Sequence, residues 1–153
     1  GAQYEFALVQ AKDTGINEDI TLTQEDIRQL QLAKGAIYSG ILMLQQVMNV
    51  ADDDVDQLQL AGGFGNYINI ESAVAINLLP SLALKKITYV GNAALMGAGM
   101  ALISETERKR ADSLAKEIKH ISLAAHPDFQ EIFIRAMDFS DVEESFELAK
   151  TGT

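Results

Sequence analysis

Two apolar segments that each run into glycine constrain this chain more than any other feature. Residues 57–66 read QLQLAGGFGN, and residues 87–100 read ITYVGNAALMGAGM. In both segments a short strand-like run ends in glycine, and the second continues into a helix of small side chains. Glycine is required where a Cβ would block a close approach or forbid the positive φ of a turn. The sequence therefore predicts two places where another group approaches the backbone closely.

Strand-like and helix-like segments alternate along the chain. Strands are predicted at residues 4–9, 19–22, 57–61, 87–90 and 120–124, and helices at residues 24–49, 69–79, 92–103, 105–119 and 127–137. Thr23 and Ser104 have the positions of helix N-caps, and Glu107 completes a capping box with Ser104. This order is typical of an α/β fold with a mainly parallel sheet flanked by helices. The uniform composition predicts a single domain over residues 1–153.

The first helix carries an apolar stripe that the spacing predicts to be its buried face. The stripe consists of Ile27, Leu30, Lys34, Ile37, Ile41 and Leu44. Lys34 either extends outward to solvent or reaches into a cleft, and the first is the expectation. A second set, Ala33, Ala36 and Gly40, is small enough for another helix to pack closely.

Charge and composition exclude several classes of function. The chain has 153 residues, a formal net charge of −10 and no cysteine. The negative charge repels nucleic acid and anionic membranes, so neither is expected as a partner. The absence of cysteine excludes a thiolate nucleophile and a cysteine-ligated iron–sulfur site. The initial glycine, in place of a start methionine, indicates a piece of a longer protein.

Gly62, Gly63, Phe64 and Gly65 form the first candidate site. A loop at the carboxyl end of a parallel strand is where such sheets bind ligands, but a tight connection without a ligand explains the same glycines. The loop is neither a Rossmann fingerprint nor a P-loop. No basic residue lies between Lys34 and Lys85, whereas several acids do. The loop therefore suits a neutral base and sugar better than phosphates.

The remaining candidates are weaker. Ala93, Gly97 and Ala101 lie on one face of a helix, which indicates either static close packing or a moving joint. The acidic run at residues 52–54 lacks the spacing of a calcium loop, and His120 and His126 lack metal-ligand spacing. No pair of carboxylates stands out as an acid–base couple. The sequence therefore predicts no catalytic residue and no metal site.

Three blocks of the chain resemble the C-terminal part of the ATP-dependent reductive activators of corrinoid proteins. The blocks are LTQEDIRQLQLAKGAIYSGI at residues 22–41, LAGGFGNYINIESAVAINLLP at residues 60–80, and VGNAALMGAGMALIS at residues 90–104. They occur in the order found in that family, and the resemblance covers residues 4–139. One departure is Asn77, where the family pattern has glycine.

The resemblance implies a lobe of the ribonuclease H-like fold shared by actin, sugar kinases and heat-shock chaperones. It implies that Gly62, Gly63, Phe64 and Gly65 form the superfamily's adenosine motif. Lys34, from its place in the apolar stripe and not from the resemblance, is a further candidate residue for cofactor binding. It also implies that residues 91–98 form a hinge where helices of two lobes touch. The longer protein would use ATP with Mg²⁺ and an upstream 2Fe–2S domain to return a Co(II) corrinoid protein to Co(I), in the cytoplasm.

Two other readings stay open at the level of the sequence. The chain could be a lobe of a sugar or acyl kinase or of a radical-dehydratase activator. It could instead be a non-catalytic docking or dimerisation domain for a corrinoid protein, since the small-residue helix faces leave room for a homodimer. On every reading the chain alone is expected to be inactive as an ATPase, because the phosphate-handling parts lie elsewhere.

Overall fold

The computed structural model describes residues 4–63, 67–82 and 84–139. Four strands and five helices form there: β1 Glu5–Val9, β2 Ile20–Thr23, α1 Gln24–Met48, β3 Leu58–Ala61, α2 Ile70–Ala75, β4 Ile87–Gly91, α3 Ala93–Ile103, α4 Glu105–Glu117 and α5 Phe129–Ala136. Short 3₁₀ turns lie at Ala11–Asp13, Asp52–Asp54, Leu84–Lys86 and Leu123–Ala125. The predicted α/β class is confirmed.

The strands form two separate pairs. β1 and β2 make an antiparallel hairpin, and β3 and β4 pair in parallel. The predicted mainly parallel sheet is therefore confirmed only for β3 and β4 among the described residues. The predicted strand at residues 120–124 is wrong, because this segment turns into the 3₁₀ helix Leu123–Ala125. An apolar run becomes a strand only where a neighbour supplies backbone partners.

Local side-chain chemistry fixes both ends of α1. The Thr23 hydroxyl accepts from the Asp26 amide at 3.1 Å, and the Asp26 carboxylate accepts from the Thr23 amide at 2.8 Å. This reciprocal pair is a capping box, and it confirms Thr23 as the N-cap. At the other end Asn49 takes φ 54°, the left-handed conformation that stops a helix.

The face of α1 that packs against α5 is not the predicted apolar stripe. The buried residues of α1 are Lys34, Gly35, Ser39 and Met43, whereas Leu30, Ile37 and Leu44 are exposed. The missing side chain of Gly35 determines which face is covered, because a Cβ added there would lie 2.7 Å from Met137 Cγ. The end of α5 thus approaches the α1 backbone closely at a glycine that the stripe does not contain.

The main apolar core lies between α2 and the parallel strands. Its buried members are Ala73, Val74, Leu79, Leu82 and Ile87. α2 ends at Ala75, earlier than predicted, because Asn77 adopts φ 55°. Glycine and asparagine adopt this left-handed conformation most readily, which is consistent with the glycine that the resemblance led us to expect at this position.

α3 and α4 form a helical corner around Ser104. This residue ends α3, and its hydroxyl accepts from the Glu107 amide at 3.3 Å at the start of α4, which confirms Ser104 as an N-cap. The expected capping box is wrong in its other half, because the Ser104 amide donates to the Met100 carbonyl and not to the Glu107 carboxylate. The Arg108 guanidinium donates to the carbonyls of Ala101 and Leu102 and so holds the corner closed. Within the described residues, no helix combines the length and apolar character needed to cross a bilayer.

Candidate functional site

The two glycine bends meet at one edge of the parallel sheet. β3 and β4 lie side by side, so their carboxyl ends are adjacent. Gly62 has φ 88° and Gly91 has φ 65°. The Gly62 amide donates to the Gly91 carbonyl at 2.7 Å, which joins the bends directly. The two bends that the sequence singled out are therefore neighbours in the fold.

The backbone at these bends is open on the side where a side chain would stand. A Cβ added at Gly62, Gly63 or Gly91 would meet no atom within 4 Å. Positive φ explains glycine at Gly62 and Gly91. Gly63 has no positive φ, so neither conformation nor crowding among the described residues accounts for its missing side chain. Phe64 and Gly65, the other predicted members of the loop, lie outside the described residues.

A cleft of about 490 Å³ is lined by residues that follow the first glycine loop in the chain and by Tyr89, two residues before Gly91. Its walls come from the start of α2, the turn before β4, and β4 itself: Tyr67, Ile68, Asn69, Ile70, Glu71, Leu84 and Tyr89. The Tyr89 hydroxyl donates to the Ile68 carbonyl and ties β4 to the segment that follows the loop. The volume is within the range of small-molecule sites in proteins.

The described lining of this cleft offers no basic side chain. Glu71 is the one charged residue among the described lining residues, and Lys85 and Lys86 directly follow the lining residue Leu84 in the chain. A phosphate would find no cationic partner in this lining, whereas an uncharged base and sugar need none. Across the described parts of the chain, no group of three histidine or acidic side chains is placed to hold a metal ion.

Lys34 lies in a different part of the structure. It is fully buried, its ammonium donates to the Asp138 carbonyl at 2.5 Å, and it stands 4.7 Å from the centre of the Phe139 ring. The expectation that Lys34 extends outward to solvent is wrong. It lines a smaller cleft of about 220 Å³ between α1, Asn77 and the end of α5. This smaller cleft shares no lining residue with the 490 Å³ cleft that Tyr67 and Tyr89 line.

Comparison with known proteins decides the family. The family described as the C-terminal domain of RACo, the ASKHA domain, matches residues 1–150. The chain belongs to the RACo C-terminal domain family. The resemblance found in the sequence is therefore confirmed, and it favours the corrinoid activators over the kinases and dehydratase activators that share the superfamily.

Two relatives of this chain are named for their action on corrinoid proteins. The chain is 35% identical over 136 residues to the corrinoid activation enzyme RamQ of Eubacterium limosum, covering 89% of this chain and 23% of RamQ. It is 24% identical over 122 residues to a Co(II) methylated amine-specific corrinoid protein reductase of Methanosarcina barkeri, covering 78% and 22% of the two chains.

A solved structure shows the same fold. A reductive activator for corrinoid, iron–sulfur protein is 35% identical and superposes with a TM-score of 0.74, over 87% of this chain and 21% of that one. The RACo C-terminal domain thus spans less than a quarter of the length of these relatives. These matches therefore do not by themselves assign the activity of a whole activator to this chain.

Sequence reasoning missed the aromatic side chains of the site. Tyr67 and Tyr89 line the cleft, and Phe139 faces Lys34. Tyr89 could have been identified from the sequence, because it lies two residues before the Gly91 bend on a predicted strand. Phe139 and Asp138 could not, because their contact with α1 depends on the position of α5.

Proposed function

We propose that this chain is a single domain that serves as the second nucleotide-binding lobe of a reductive corrinoid activator. The longer protein would couple ATP to the reduction of Co(II) corrinoid protein to Co(I), in the cytoplasm. Two observations support this: the family match and the corrinoid substrates in the names of the relatives. The partner would be a corrinoid protein.

The task of this lobe is to hold the adenosine part of the nucleotide. The main support for this role is the pair of glycine bends, which are hydrogen-bonded to each other at adjacent strand ends and leave open space beside Gly63. A flat base can lie against backbone that has no Cβ, and strand carboxyl ends are the usual ligand edge of parallel sheets. Phe64 and Gly65 would complete the loop. The lack of a basic side chain in the described lining of the cleft fits base and ribose better than phosphate.

Other parts of the cofactor chemistry must come from elsewhere in the longer protein. With no cysteine in the chain, this lobe cannot supply cysteine ligands to a 2Fe–2S cluster. It also offers no basic residue near the glycine bends to hold phosphates with Mg²⁺. ATP supplies binding energy and phosphoryl chemistry when it is bound, and this lobe orients the adenosine end. Lys34 would act indirectly, by fixing α1 against α5.

The lobe would also contribute the joint between two lobes. α3 carries no charged residue and no buried one, so all its apolar side chains remain available for contact. We propose that it packs against a helix of the other lobe. The ribonuclease H-like fold belongs to the same proposal and is supported by the family's description as the ASKHA domain.

Replacing Gly63 with valine in the longer protein tests the nucleotide role. A Cβ at this position would have open space around it and needs no positive φ, so the lobe should still fold. We expect adenine-nucleotide affinity to fall at least about tenfold, equivalent to about 1.4 kcal/mol, because the side chain occupies the space proposed for the base. Calorimetry measures this affinity.

Gly15→Val is the matched control, since Gly15 also has open space around it and lies in the β1–β2 connection. It should leave nucleotide binding unchanged. Unchanged affinity in Gly63→Val would contradict the nucleotide role and favour a lobe whose glycine bends only shape a docking surface.

A further inference from the structure

The exposed surface of α1 carries almost no charge. From residue 29 to residue 51 the only charged side chain is Lys34, which is fully buried. Helices that face water ordinarily carry charged residues on their outer side. This 25-residue helix instead presents apolar and amide side chains for most of its length.

The exposed apolar residues of α1 follow a seven-residue repeat. Leu30, Ile37 and Leu44 are spaced by seven and are 38%, 50% and 44% exposed. Ala33, Gly40 and Val47 alternate with them at the spacing of a coiled-coil seam. We call these six residues the α1 seam. Over the 17 residue steps it extends about 26 Å along the helix.

The described elements cover the opposite side of α1. α5 packs on the side of Gly35, where an added Cβ would meet Met137, and Leu123 of the turn before α5 lies close to one seam residue, Gly40. Large apolar residues left in a continuous row usually mark an interaction surface. The α1 seam therefore has the character of an interaction surface, and α5 is not its partner.

We infer that the α1 seam is covered by an apolar, uncharged surface belonging to the part of the longer protein outside residues 1–153. The relatives are more than four times as long as the aligned region, so ample chain exists to supply it. The inference rests on the proposed function only in taking this chain as one lobe of a longer protein. It does not depend on nucleotide binding.

Two other occupants fit the charges less well. Residues 140–153 contain four acidic residues and one lysine, and the seam offers no cation to pair with those carboxylates. A second copy would bring together two chains that each carry a net charge of −10. An uncharged apolar surface of the same polypeptide meets neither difficulty.

Thiol labelling tests the inference, because the chain has no native cysteine. Ile37→Cys is prepared in the 153-residue chain and in the longer protein, and maleimide modification is followed by peptide-resolved mass spectrometry. We expect modification in the longer protein to be at least about tenfold slower than in the short chain, because a covered thiol reacts only when the region opens.

Two reference sites calibrate the rates. Lys109→Cys lies on the charged surface of α4, where the lysine side chain is 76% exposed, and it should react equally in both proteins. Met43→Cys is fully buried and should be slow in both. Circular dichroism confirms that each variant is folded.

Slow labelling of Ile37→Cys in the longer protein alone, independent of protein concentration, supports the inference. Equal rates in the two proteins would overturn it. Slow labelling that is relieved by dilution would assign the seam to a second copy, and slow labelling of the short chain that is relieved by deleting residues 140–153 would assign it to the tail. Either result would also overturn it.

Discussion

The Lys34 ammonium finds its hydrogen-bond acceptor 104 residues away along the chain, at Asp138. The sequence places Lys34 in an apolar stripe, and periodicity alone suggests that such a lysine extends to water. The structure buries it, because the end of α5 supplies both a carbonyl and an aromatic ring. Remote partners of this kind have no local sequence signal, whereas the Thr23 cap and the positive φ at Gly62 and Gly91 do.

Removing the charge at Lys34 should weaken the packing of α1 on α5. Lys34→Met keeps the apolar stem but loses the charged donor, so we expect the free energy of unfolding to fall by roughly 1.5–3 kcal/mol. Urea denaturation measures this. Lys109→Met, at an exposed position on α4, should change it by less than about 0.5 kcal/mol. Equal effects of the two substitutions would contradict the burial of Lys34.

The Asp26 carboxylate gives α1 a stability that depends on pH. The hydrogen bond from the Thr23 hydroxyl, and then the one from the Thr23 amide, lower the pKa of Asp26 below its ordinary value. A depressed folded-state pKa stabilises the fold above the unfolded-state pKa, and this stabilisation is lost as pH falls through the folded-state pKa. Asp26→Asn should therefore reduce stability at pH 7.

The difference in unfolding free energy between Asp26→Asn and the unsubstituted chain should shrink as the pH falls below about 4. Denaturation curves recorded between neutral and acidic pH check this. A difference that stays constant over that range would show that the charge of Asp26 is not what stabilises the cap.

At the level of elements, the sequence was most informative where backbone chemistry is local. Thr23, Ser104 and the glycine bends set helix starts and strand ends correctly. It was least informative about which side of α1 is covered and about residues 120–124. Both depend on where α5 and its preceding turn pack, and periodicity shows that a face is apolar without showing what lies against it.

α3 offers a test of the proposed joint. Gly97 lies on the same face as Ala93 and Ala101, and no atom lies within 4 Å of a Cβ added there. Gly97→Ala should stabilise the 153-residue chain by about 1 kcal/mol, because alanine is the better helix former. In the longer protein it should slow ATP-dependent corrinoid reduction, since the added methyl separates the two lobes.

Gly99→Ala is the matched control for α3, with equally open surroundings but on another face of the helix. It should give the same gain in stability and leave corrinoid reduction unchanged. If both substitutions, or neither, slow the reaction, the face containing Gly97 is not the contact between lobes.

Across the part of the molecule that the structure describes, some apolar regions are covered and others are open to solvent. The core of α2 and β4 is closed, whereas Phe6 of β1, Ile37 of α1 and Leu102 of α3 are at least half exposed. The chain spans 21–23% of the length of its relatives. We attribute the open apolar surfaces to contacts with the rest of a longer activator, which no pattern within this sequence could identify.

Adenosine binding at the glycine bends is tested most directly by an NMR titration of the ¹⁵N-labelled chain with adenosine and, separately, with ATP and Mg²⁺. We predict that both ligands shift the amide signals of Gly62, Gly63 and Gly91 with similar, weak affinity, because the lobe holds the adenosine and not the phosphates. Binding that requires the triphosphate and Mg²⁺, or saturating adenosine that leaves these three glycine signals unmoved, would contradict it.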